Sequence, residues 1–77
     1  MKLREWRIQK VLTQKELAER AGVAEITVAA IERGVQLPSP RTSRKLAEAL
    51  GIEPTQIEEV QQAIERQLSK KDLARIG

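Results

Sequence analysis

The apolar positions of this 77-residue chain recur at intervals of three and four, and Val, Ile and Thr never cluster in alternating runs. That period belongs to helices with one inward face, so the pattern predicts an all-α chain. Leu3, Trp6 and Val11 mark the inner stripe of a first helix over about residues 2–11. A second helix begins at Thr13, where Thr13 and Glu16 form a T-x-x-E capping box. In that motif the hydroxyl accepts from a first-turn amide while the carboxylate reaches back. Leu17 and Ala21 face inward, with Ala18 beside them. A third helix begins after Val23, near Ala24, without a good capping residue, and turns Val28 and Ile31 inward. VQLPSP reads as a loop with Leu37 tucked in. Ser39 caps a fourth helix and Pro40 suits its first turn. Its inner face is Leu46, Ala47 and Leu50. A fifth helix starts near Pro54 or Thr55, with Thr55 and Glu58 as a second capping box, and runs to about Leu68. Residues 1–68 thus form one domain. Residues 69–77 form a short helix capped by Ser69, or a frayed tail. Gly22, Gly34 and Gly51 each follow a periodic segment, where a left-handed residue ends a helix.

Composition narrows the chemistry. Cysteine and histidine are both absent. Disulfides, thiolate and imidazole metal sites and imidazole base catalysis are therefore excluded. The carboxylates and hydroxyls that remain show no partner pattern, so neither an enzyme nor a cofactor or metal is expected. Trp6, the one aromatic residue, reads as a core anchor, because base-stacking platforms use several aromatics. No apolar run approaches the ~20 residues that span a bilayer. The opening MKLREWRIQK lacks the apolar stretch of a secretory signal. The expected compartment is the cytoplasm, with no membrane contact. Charge is unevenly spread: residues 1–52 carry ten basic and six acidic side chains, whereas residues 53–77 carry four and five. The first part of the chain is the one suited to a polyanion.

The spacing within residues 14–33 carries the main functional signal. Leu17, Ala21, Val23, Val28 and Ile31 supply apolar contacts, Ala18 is small where two helices would cross, and Gly22 sits at the turn. LTQKELAERAGV, AAIERG, LPSP and LAEALGI follow one another at set separations. Over about residues 3–60 this order resembles the helix-turn-helix of the phage-repressor and Cro-like proteins, also called the Xre family. The resemblance implies a compact five-helix, lambda-repressor-like domain that binds double-stranded DNA with its third helix in the major groove. It implies that Gln14 touches a phosphate and braces the third helix. It also implies an ion pair between Arg7 and Glu32, for which simple surface placement is the alternative.

The third helix departs from many family members. Arg, Lys, Asn and Gln make the usual bidentate base contacts, and none occurs between Ala24 and Glu32. The base-contacting candidates are Glu25, which can accept from a cytosine amino group, and Ile26, Ala29 and Ala30, which can pack on thymine methyls. Phosphate-contacting candidates are Gln14, Lys15, Thr27, Arg33, Arg41, Thr42 and Arg44. An apolar protein contact through Ile26 and the alanines is the other reading. That reading fits an interaction module such as a toxin-neutralising antitoxin. In the fifth helix, Ile57, Val60, Ile64 and Leu68 form a stripe expected to join a twin, with part of it covering the first and fourth helices; a stripe wholly inside the core is the alternative. The leading expectation is a small homodimeric repressor on a palindromic operator.

Overall fold

The computed structural model describes residues 1–76, with side chains through Leu68. Five α-helices follow in order: α1 (Leu3–Gln9), α2 (Gln14–Ala21), α3 (Glu25–Glu32), α4 (Pro40–Leu50) and α5 (Glu58–Ile76). A 3₁₀ turn at Pro54–Gln56 precedes α5. No strand occurs among the described residues.

Local chemistry sets most boundaries. Thr13 Oγ1 accepts from the Glu16 amide at 3.0 Å, and Glu16 Oε1 accepts from the Thr13 amide at 2.9 Å. These bonds satisfy amides that a helix start leaves without partners. The Thr13 amide, and next its hydroxyl, hold the Glu16 carboxyl below its ordinary value. A carboxyl depressed on folding contributes stability while ionised, and that contribution is lost as pH falls through the folded-state value. The stability gap between the parent and Glu16→Gln is therefore expected to shrink as pH drops from about 6 to about 3. Urea melts at each pH check this. Ser39 Oγ accepts from the Thr42 amide at 3.2 Å and opens α4, with Pro40 in its first turn. Ala24 precedes α3 and offers no side-chain cap.

Four helices end alike. The residue after the last turn is left-handed, and the next amide bonds back five residues: Leu12 to Arg7, Val23 to Ala18, Val35 to Ala30 and Ile52 to Ala47. Three of the left-handed positions are glycine; the fourth is Val11, at φ 57°. Val11 therefore lies outside the inner stripe of α1. It is 86% exposed, and Leu12 enters the core instead. The helix ends before Val11, so its side chain leaves the inner face. A β-branched residue in this region costs ~1–2 kcal/mol, partly offset in glycine by ~1 kcal/mol of chain entropy. Val11→Gly is expected to raise stability by about 0.5 kcal/mol, the middle of that difference. An unchanged denaturation midpoint would show that the valine side chain makes a compensating contact.

The core gathers Leu3, Leu17, Val28, Ile31, Leu46 and Ile57, all fully buried. α2 packs against both α3 and α4, and Ala18, 3% exposed, supplies the small surface a close approach needs. Trp6 lies against this core and donates from Nε1 to the Gln56 carbonyl at 2.9 Å. Its indole is an anchor with its polar atom satisfied.

The start of α5 corrects two expectations. Thr55 and Glu58 form no capping box. The Glu53 amide bonds Gln56 Oε1 at 2.9 Å, two residues earlier. Pro54 favours the tight 3₁₀ turn. Ile57 then takes extended backbone, φ −93° and ψ 120°, as its side chain enters the core. That break separates the turn from α5. The Glu58 amide instead bonds the Met1 carbonyl at 2.9 Å. Glu59, 8% exposed, accepts from the Leu3 amide at 2.8 Å. The starts of α1 and α5 thus cap each other. The second correction concerns the apolar stripe. Ile57 and Val60 are inside this chain, at 0% and 2% exposure, and offer nothing to a twin. Ile64 and Leu68 remain exposed. α5 continues past Leu68 to Ile76, and the side chain of Ser69 lies outside the described residues.

Candidate nucleic-acid interface

The turn between α2 and α3 places α3 on the surface with one face inward. Gly22, at φ 71°, reverses the chain, and Val23 packs half-buried against the core. Val28 and Ile31 lock the inner face of α3. At 100° per residue, the opposite face is Ile26, Ala29, Ala30 and Arg33, at the i, i+3, i+4, i+7 spacing. Ile26 is 78% exposed, Arg33 is exposed, and both alanines are half-buried. Glu25 and Thr27 flank this stripe on opposite sides, Glu25 exposed and Thr27 half-buried.

Glu32, at the end of α3, fixes that face relative to the rest of the domain. Arg7 Nε donates to Glu32 Oε2 at 2.7 Å, and Arg7 Nη2 donates to Oε1 at 3.0 Å. Gln14 Nε2 donates to the same Oε1 at 3.2 Å. Arg7 Nη1 donates to the Leu12 carbonyl at 2.8 Å. The side chains of Arg7 and Glu32 are 13% and 4% exposed. Bonding to Glu32 raises the Arg7 guanidinium pKa, against the desolvation that lowers it. Four segments meet in this cluster: α1, the turn after it, the start of α2 and the end of α3. The fork geometry of arginine suits the arrangement, because two parallel bonds fix orientation as well as distance.

The remaining sequence candidates separate. Gln14 sits in the cluster, and its amide keeps a second hydrogen for an outside acceptor. Lys15 is exposed beside it in the first turn of α2. Arg41 is exposed at the start of α4. Thr42 is partly engaged in the α4 cap, where its hydroxyl accepts from Ser39 at 3.1 Å. Arg44 borders a groove toward α5, with Pro38, Pro40, Ala63 and Ile64. Three contributors escaped the sequence reading. Leu12 supplies a carbonyl to Arg7, and only its place just past a helix end marks it as buried. Glu59 and the Gln56 carbonyl act across 56 and 50 positions, which no local pattern signals.

Comparison with known proteins agrees with this geometry. A helix-turn-helix family model matches residues 3–57. An uncharacterized HTH-type transcriptional regulator of Methanothermobacter thermautotrophicus is 47% identical over 51 residues, which span 66% of this chain and 74% of that protein. The cryptic phage CTXphi transcriptional repressor RstR of Vibrio cholerae is 39% identical over 51 residues, spanning 66% of this chain but only 46% of the repressor. Among solved structures, the restriction-modification controller protein C.AhdI from Aeromonas hydrophila superposes with a TM-score of 0.67 at 41% identity, covering 75% of this chain and 83% of that one. No described helix is long and apolar enough to cross a membrane. With the α2–turn–α3 unit, its buried contacts and these matches together, the chain belongs to the helix-turn-helix family of phage-repressor and Cro-like DNA-binding regulators.

Proposed function

We propose that this chain is a small repressor that binds an inverted-repeat operator as a homodimer, with α3 in the major groove of each half-site. The observation that carries this reading is the outward stripe of α3, held at a fixed angle by the Arg7–Glu32–Gln14 cluster. A helix so placed can approach base edges while its neighbours hold the backbone. Gln14, Lys15, Arg33 and Arg41 are the phosphate contacts. Thr27, Thr42 and Arg44 are secondary, because Thr27 is half-buried, Thr42 serves the α4 cap, and Arg44 borders the α5 groove. Glu25, Ile26, Ala29 and Ala30 face the bases.

The twin docks along α5. Ile64 and Leu68 are 41% and 56% exposed, and Ile64 edges a groove of about 190 Å³ walled by Pro38, Pro40, Pro54 and Ala63. Two copies related by a two-fold axis would set their α3 helices about one DNA turn apart, ~34 Å.

Selection of duplexes from a randomised pool at moderate salt tests this reading. An inverted repeat is the expected product. Arg41→Ala is expected to weaken all sequences alike and to lower the slope of log K against log salt by about 1. Unchanged affinity and slope would remove Arg41 from the phosphate set. The exposure of Ile26 supports a second reading, an apolar protein contact such as a toxin-neutralising antitoxin makes. Failure of the folded protein to enrich any duplex would favour it.

A further inference from the structure

Resting on the reading of α3 as the groove-entering helix, we propose that this protein recognises its site chiefly through the 5-methyl groups of pyrimidines. Binding would then respond to methylation at the 5-position.

The argument begins with what α3 lacks. Purine edges in the major groove present acceptors at guanine O6 and at N7, which need a donor. On the outward stripe the one donor is Arg33, which lies past the last residue of α3, about 10 Å along the axis from Ile26. Gln14 gives one amide hydrogen to Glu32 and, in that reading, the other to a phosphate rather than a base. Thr27 is half-buried at one flank. Groove donors, the amino groups of adenine and cytosine, need an acceptor, and Glu25 on the other flank is the one exposed carboxylate that α3 offers.

What the stripe does offer is apolar and short. Ile26 projects furthest, and Ala29 and Ala30 follow one turn later. Short alanine side chains on both sides of Ile26 let the helix backbone sit close to the groove floor. Against that surface the complementary feature of a base pair is the carbon-5 position of the pyrimidine. Thymine carries a methyl there, cytosine a hydrogen, and 5-methylcytosine a methyl again. The stripe is narrow, and exposed Lys15 and Arg33 carry the basic charge expected beside a phosphate backbone. That charge favours DNA over a protein partner on this face.

The test uses two randomised duplex pools, one synthesised with thymidine and one with deoxyuridine in its place. The change removes only the methyl and keeps every hydrogen-bonding atom. The thymidine pool is expected to enrich a site, and the deoxyuridine pool to enrich weakly or not at all. In the recovered duplex, one uracil at a read position should weaken binding about fourfold, and both half-sites together about fifteenfold. At that position 5-methylcytosine should bind better than cytosine by about the same fourfold factor. Ile26→Ala, a change at an exposed site that leaves the core intact, should erase the thymine–uracil difference at the base it covers.

The inference falls if both pools yield the same site with equal affinity. It also falls if base preference follows Glu25→Gln or Arg33→Ala with no thymine–uracil difference. In either case DNA recognition itself stands. If a folded chain enriches neither pool, the DNA reading and this inference fall together.

Discussion

Glu32→Ala is expected to lower stability by about 2–4 kcal/mol and to weaken DNA binding beyond what its distance from the groove-facing stripe suggests. The substitution removes the acceptor of three bonds at once, from Arg7 Nε, Arg7 Nη2 and Gln14 Nε2. It leaves a guanidinium with little access to water and only the Leu12 carbonyl as a partner. An exposed pair is worth about 0–1 kcal/mol, whereas breaking a buried one costs ~3–5 kcal/mol. With side chains 13% and 4% exposed, this pair belongs nearer the second case. The coupling is structural: without the cluster, the end of α3 is free to shift relative to α1 and α2. Arg7→Met combined with Glu32→Leu is expected to recover much of the lost stability, since an apolar pair leaves no stranded charge. Chemical denaturation of Arg7→Met, Glu32→Leu and the double variant, each against the parent, forms the cycle. A loss under about 0.5 kcal/mol for Glu32→Ala would mean that the pair behaves as a surface bridge.

Leu17→Ala is expected to be as severe, by a different route. Leu17 is fully buried on α2, the helix that packs against both α3 and α4. Truncating a buried leucine costs ~2–5 kcal/mol, the methyl groups lost plus the cavity left behind. A domain this small has stability near the lower end of ~5–15 kcal/mol, so the loss consumes most of it. The helical signal of Leu17→Ala should melt far below that of the parent. Leu68→Ala, at a site 56% exposed, should shift the monomer's stability by no more than about 0.5 kcal/mol. Equal melting of the two variants would contradict the burial described above.

These variants also mark where sequence and tertiary structure divide the work. The helix starts at Thr13 and Ser39 were legible, because a cap is a bond between residues three apart. The inner faces around Leu17, Val28, Ile31 and Leu46 were legible, because a 3.6-residue period turns spacing into direction. The helix-turn-helix was legible for the same reasons, with Gly22 at its turn, which needs positive φ.

The sequence by itself thus determined the helical order, the turn and the outward residues of α3. Only the tertiary structure decided the rest. Val11 keeps the spacing of an inner residue, yet a helix end turns it outward and admits Leu12. Ile57, Val60, Ile64 and Leu68 share one apolar period, but the core accepts only the first two before α5 leaves it. Thr55 and Glu58 have the letters of a cap, but the extended backbone at Ile57 carries them apart. Glu59 meets the Leu3 amide only because two helix starts converge from opposite ends of the domain. A local pattern states which way a side chain points from its own helix. What stands opposite is settled by how the helices pack.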